Sequence, residues 1–219
     1  MNRRDFSAQL AVTGLGAAAS SLFVVAGPAA AQGAPAEGRQ FARIDPPVPP
    51  VTPGKIEVIE FFSYACPHCS AFEPAVEAWA KKVPADVAFL RVPVPFLQNF
   101  ENLMRTYYTL ESMGLVDTMQ RKVFTAIHVD HNHLEKPADI AALMAKNGVD
   151  AAKFTSVFSS FSVASSVTRA KKLAAAYKLE GVPSIAVAGR WATSPGQAGG
   201  PEQAFAVTDY LIQRARIKA

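Results

Sequence analysis

Apolar residues fill almost every position from Lys55 to Ser63 (KIEVIEFFS) and again from Val87 to Val92, as in strands covered on both faces. Between these runs Cys69, Phe72, Val76, Trp79, Ala80 and Val83 recur at helical spacing, and Pro84 stops the pattern. The unit reads as β-α-β, which implies a parallel strand pair joined by a right-handed crossover. From 98 to 177 the period stays helical. Leu103, Tyr107 and Leu110 form one stripe; Val116, Met119, Val123 and Ile127 form a second; Ile140, Leu143 and Met144 form a third. Phe154, Phe158 and Phe161 continue at helical spacing as core positions, and Val163, Val167, Ala170, Ala174 and Tyr177 mark a longer helix. Strand character returns at Ser184 to Ala188, then a turn at Gly189-Arg190 and the run Trp191-Ala192-Thr193. Pro201 opens a last helix with Phe205, Thr208, Leu211 and Ile212 on its inner face. This order predicts an α/β fold: a small sheet domain (55–97 and 178–219) interrupted by an all-helical insertion (98–177).

The segments before the sheet have a different character. Arg3 and Arg4 precede a mildly apolar stretch, Leu10 to Val25, and Ala29-Ala30-Ala31-Gln32 has the small residues of a cleavage site. Residues 1–31 are therefore expected to be an export signal cut near Ala31. The stretch is too rich in Gly and Ala for a membrane span. Arg3-Arg4-Asp5-Phe6 resembles the core of a twin-arginine signal, although Asn2 stands where Ser is usual, so a Tat-like and a Sec route both fit. Residues 32–54 form a Pro-rich lead-in. In it Gln40 to Ile44 can make a short edge strand, and Asp45-Pro46-Pro47-Val48-Pro49-Pro50 must run extended. The net charge of +4 implies no particular partner. Its basic residues occur as scattered pairs such as Lys81-Lys82 and Lys171-Lys172, a pattern that does not favour nucleic acid.

The chain has two cysteines, and both lie in Cys66-Pro67-His68-Cys69 at the seam between strand and helix. Neither can bridge to another part of the chain. The pair is a metal half-site, a redox couple or a coincidence. Zinc would need a second Cys or His pair at suitable spacing. Export and the strand-to-helix setting point to thiol–disulfide exchange. Cys66 stands at the N-cap, with Pro67 at the first helical position. The unpaired N–H groups beyond it and the helix dipole favour a thiolate there, and His68 acts in the same direction. Cys69, one turn into the helix, is the shielded resolving thiol. Glu60 shares a strand face with Ile56, Val58 and Phe62, and a carboxyl buried there has a raised pKa and can pass protons to and from Cys69. His128, His131 and His133 lie within six residues, but their spacing matches no regular zinc motif and reads as a polar loop. No metal site and no cofactor are expected.

The segment Glu60-Phe61-Phe62-Ser63-Tyr64-Ala65-Cys66-Pro67-His68-Cys69, followed by Gly181-Val182-Pro183-Ser184, resembles the DsbA family of thiol–disulfide interchange proteins. The resemblance implies a thioredoxin fold (βαβ…ββα) with a helical insertion. It implies a periplasmic dithiol oxidase, with Cys66 forming the mixed disulfide and Cys66–Cys69 as the redox-active disulfide. Reduced exported polypeptides would be the substrates and a DsbB-like, quinone-linked membrane protein the reoxidant, with the oxidase acting as a monomer. It also implies that the Val182-Pro183 bond is cis and packs against the disulfide, leaving the Val182 backbone free to pair with a substrate strand, and it supports the proton role of Glu60. Two alternatives stand beside the oxidase. One is an isomerase or reductase of the same fold, although residues 32–54 are too few for the dimerisation domain such isomerases carry. The other is an exported metal-binding or assembly factor using the Cys pair and the His128–His133 cluster.

Overall fold

The apolar run around Val58 becomes β2 (Ile56–Phe62), buried at every position after Ile56, so helices must cover both of its faces. In the computed structural model, which describes residues 33–95 and 100–217, they do. The export signal expected over 1–31 lies outside the described residues. After β1 (Ala42–Arg43) and β2 come α1 (Pro67–Ala80) and β3 (Val87–Pro93). Five helices follow: α2 (Phe100–Ser112), α3 (Val116–His128), α4 (Pro137–Lys146), α5 (Ala151–Phe158) and α6 (Phe161–Ala176). The chain closes with β4 (Ser184–Val187), β5 (Trp191–Thr193), a short α7 (Pro195–Ala198) and α8 (Pro201–Ile217). No helix among the described residues is long and apolar enough to cross a membrane.

The strands form one mixed sheet in the order β1-β5-β4-β2-β3. Only β2 and β3 run parallel, with Val58 opposite Phe89 and Glu60 opposite Arg91. Alternation along β2 divides its side chains. Val58 packs with Phe72 and Val76 of α1 and with Phe205, Leu211 and Ile212 of α8. Ile59 and Phe61 face Met104 of α2 and Val167, Ala170 and Ala174 of α6. Phe62, at the end of the strand, joins a third cluster in which Leu110, Val123, Phe124, Met144 and Phe154 meet. Both cysteines belong to this third cluster, where the sheet's end meets the helices.

The structure departs from the periodicity in four places. Phe161 is 88% exposed and is not a core residue. The helix breaks after Phe158, and the Ser160 side chain accepts the Val163 N–H at 3.2 Å as an N-cap. The helical phase therefore restarts and turns Phe161 outward. The hairpin turn is centred on Ala188-Gly189, one residue earlier than expected, with both residues at positive φ (52° and 63°) and Arg190 N–H bonded to Val187 C=O at 3.0 Å. The short α7, capped by the Ser194 side chain and ended by Gly199 at φ 98°, has no sequence period long enough to show it. Finally, α1 contains Pro74, which leaves the Ser70 carbonyl without its helical donor.

The expected edge strand exists: β1 pairs antiparallel with β5 through Ala42 and Ala192. The Pro-rich lead-in then crosses the hairpin turn, with Val48 N–H bonded to Gly189 C=O at 2.8 Å. A Cβ at Gly189 would overlap the Val48 carbonyl oxygen. Gly148 also has positive φ (79°), but open space surrounds it. Alanine at 148 is therefore expected to cost only the left-handed strain, about 1–2 kcal/mol, whereas Gly189→Ala adds a backbone collision and is expected to cost more. Urea midpoints of the two variants, measured side by side, check the order.

Candidate active site at the Cys66 turn

The turn from β2 into α1 is closed by Cys66 N–H bonding to Ser63 C=O at 3.0 Å, with the Ser63 hydroxyl accepting from Ala65 N–H at 3.2 Å. Cys66 is the N-cap, extended at φ −90°, ψ 117°, and no side-chain oxygen caps the helix. The first N–H groups are thus left to the sulfur. Cys66 is 5% exposed and Cys69 is fully buried; both are free thiols. The Cys69 thiol donates to Cys66 and so lowers the Cys66 pKa to about 6; burial opposes this, while the backbone N–H groups of Cys69 and His68 and the His68 ring reinforce it. The same hydrogen bond, with burial, pushes Cys69 far up. Two identical side chains thereby become unequal acids.

Glu60, Arg91 and Glu73 form a buried charge group beneath the turn. Glu60 and Glu73 are 1% and 2% exposed. Arg91 lies 2.7 Å from Glu73 and 3.5 Å from Glu60, so the shorter bond goes to Glu73. Burial raises Glu60 to about 8, opposed by Arg91 and assisted by the charge of Glu73. Its field also acts on Cys69, which bears on proton exchange between the two. Glu73 is likewise raised by burial, with Arg91 opposing. The Gln120 amide of α3 reaches Glu73 at 3.5 Å.

The Val182-Pro183 bond is cis, as is Asp45-Pro46. Pairing between β2 and β4 begins at Ser184, so Val182 lies beyond the ladder. Its carbonyl oxygen accepts from the Cys66 thiol at 3.5 Å. Pro183 has no N–H to offer. Next to this loop lies an open groove of about 1000 Å³ lined by His68, Phe72, Tyr177, Val182, Pro183 and Gln197. His68 is exposed at its margin.

The six residues assigned from the sequence to the exchange site, Glu60, Cys66, His68, Cys69, Val182 and Pro183, therefore lie around one turn. The histidine cluster does not converge. His128 is half-buried, with Nε2 2.8 Å from the Tyr64 carbonyl oxygen, while His131 and His133 are exposed. Among the described residues no three His, Cys, Asp or Glu side chains are grouped to hold a metal ion. Sequence reasoning missed Arg91, Glu73 and Gln120. Glu73 carries a usable signal, since it follows Cys69 by one helical turn on the inward face of α1. Arg91 carries one only once the strand register is known, and Gln120 carries none.

Known proteins share this fold and much of the sequence. The family model described as the DSBA-like thioredoxin domain matches residues 88–204. The thiol:disulfide interchange protein DsbA of Bordetella parapertussis is 46% identical over 217 residues, covering 99% of this chain and all of that protein. Its namesake from Pseudomonas aeruginosa is 43% identical over 182 residues, 83% of this chain and 86% of the relative. The crystal structure of the Pseudomonas aeruginosa protein superposes with a TM-score of 0.81 at 43% identity, covering 84% of this chain and 95% of that one. That of the Xylella fastidiosa oxidoreductase DsbA gives 0.77 at 29% identity, covering 84% and 98%. With a strand-to-helix Cys-Pro-His-Cys, a cis-proline loop against its first sulfur and helices interrupting the sheet fold, the chain belongs to the DsbA family of thiol:disulfide oxidoreductases.

Proposed function

We propose that the chain is a dithiol oxidase that passes the Cys66–Cys69 disulfide to reduced exported polypeptides, with every exchange running through Cys66. The unequal acidity of the two sulfurs carries this reading. A substrate thiolate attacks Cys66 Sγ of the oxidised pair; the Cys66–Cys69 bond breaks and its electron pair leaves on Cys69. Cys69 takes up a proton, with Glu60 as the buried acid that supplies it. A second substrate thiolate then attacks the substrate sulfur of the mixed disulfide, and Cys66 departs as a thiolate. The substrate loses two electrons and the pair gains them. A low-pKa Cys66 is a good leaving group and stabilises the reduced pair, so the disulfide is readily given away.

Val182 is the substrate-pairing residue of this scheme, with its backbone beyond the sheet and beside Cys66. Pro183, without an N–H, leaves that edge open. The groove beside His68 suits an extended peptide. The export signal expected over 1–31 would place this work in the periplasm, where a quinone-linked membrane protein of the DsbB kind would reoxidise the monomer. A metal-delivery role gains no support from the histidines, because His128 is engaged at the Cys66 turn.

Alkylation of the reduced protein is expected to rise with a midpoint near pH 6 at Cys66, with Cys69 unreactive over the same range; tandem mass mapping of carbamidomethyl groups across pH 4–9 tests both. In a glutathione buffer the pair is expected to equilibrate as a strong oxidant, and His68→Ala to move it several-fold toward reducing behaviour by withdrawing charge from Cys66. A wild-type equilibrium like that of cytosolic reductases would sink the oxidase assignment.

Glu60 makes a stability prediction of definite sign. It titrates near 4.5 when unfolded and near 8 when folded. Below 4.5 both states are protonated. As pH rises from there, the unfolded chain ionises first and folding loses stability until the folded group also titrates. Glu60→Gln is therefore expected to be more stable than the parent at pH 8, with the advantage vanishing toward pH 4.5; urea midpoints at both ends measure it.

A further inference from the structure

Tyr64 precedes Cys66 by two residues and is 1% exposed. Its ring packs edge-on against Phe62 at 5.2 Å and Phe124 at 5.0 Å. Both of its polar ends are held by α3. The Tyr64 hydroxyl donates to Gln120 Oε1, and the same amide turns its nitrogen toward Glu73 at 3.5 Å. At the other end His128 Nε2 donates to the Tyr64 carbonyl oxygen at 2.8 Å, because a carbonyl can only accept. Gln120 and His128 lie about two turns apart on one helix, a separation that spans the tyrosine from hydroxyl to backbone. The His128 ring also lies against Phe124 at 6.2 Å, which limits its freedom to swing away.

We infer that Gln120 and His128 are positioning residues for Cys66, acting through Tyr64. Tyr64 is the second residue of the turn that Cys66 closes by bonding to Ser63. Fixing the Tyr64 carbonyl fixes the peptide plane between Tyr64 and Ala65, and with it the direction in which Cys66 enters the helix. The acidity of Cys66 depends on that direction, since the Cys69 thiol and the N–H groups of His68 and Cys69 must point at its sulfur. Without a donor at 128 the Tyr64 carbonyl is left without its partner, and the turn gains by rotating it toward water. The helical insertion thus reaches the chemistry through the Tyr64 backbone and hydroxyl. This places His128, the first of the three clustered histidines, in the scaffold of the active site.

The inference rests on Cys66 being the reactive thiol of the proposed exchange, and the test separates the two. In the full-length protein His128→Leu is expected to slow alkylation at pH 5–6 about fivefold and to shift the glutathione equilibrium toward the disulfide by a similar factor, the effect of one hydrogen bond. His128→Gln, which restores an N–H donor, is expected to return both values to within about twofold of the parent. Tyr64→Phe keeps the ring and removes the hydroxyl, so it tests the other end even where His128→Leu folds poorly. It is expected to shift the equilibrium in the same direction, with Tyr64→Phe/Gln120→Leu going no further than Tyr64→Phe alone. Folded variants with parental alkylation rates and equilibria, failure of His128→Gln to restore them, or full additivity of the Tyr64 and Gln120 changes would overturn the positioning role. Mass mapping that finds Cys69 alkylated before Cys66 in the parent would overturn the exchange reading instead.

Discussion

The hydrogen bond from the Cys69 thiol to the Cys66 sulfur divides one proton unequally between two identical side chains, and the rest of the site depends on that division. It arises because the backbone sets the two residues in different positions. Cys66 stands outside the helix, facing N–H groups that the helix cannot use; Cys69 stands inside the first turn, with apolar residues around it. Pro67 secures the arrangement by starting the helix without adding another donor.

Glu60, Arg91 and Glu73 are the most costly group beneath this turn. Three ionisable groups in the core would be less costly as apolar residues of similar volume. Their positions follow from the scaffold: the parallel register sets Glu60 beside Arg91, and the helical turn sets Glu73 below Cys69. Two carboxyls compete for one guanidinium, and the 2.7 Å contact to Glu73 against 3.5 Å to Glu60 gives Glu73 the better share. Glu60, with the weaker partner, retains a proton near neutral pH. Burial and the weaker contact to Arg91 thus leave a protonated carboxyl under the turn that carries the two sulfurs.

Much of this was legible in the chain because it depends on local rules. Strand runs, the helical face from Cys69 to Val83 and the proline at the helix start are short-range patterns, and so is the proline that precedes β4. The six expected site residues meet because two of these patterns end at the same edge of the sheet. The misplaced features have physical reasons too. Phe161 keeps helical spacing with Phe158, yet a serine cap between them resets the phase. Arg91 looks like a charge interrupting a strand until β3 lies beside β2, and Gln120 looks like any surface amide of α3. Longer-range partnerships leave no period. The family resemblance, and not the residues alone, suggested the cis bond before Pro183.

The contact between Cys66 and the Val182 carbonyl joins residues 116 positions apart. The loop that supplies this carbonyl leads into β4, which sits between β5 and β2 in the sheet yet is made after α1 to α6. A chain synthesised or exported from its N-terminus therefore presents both thiols long before the loop that faces them exists. The surroundings of Cys66 are therefore complete only once the C-terminal segment that carries Val182 has folded against the turn.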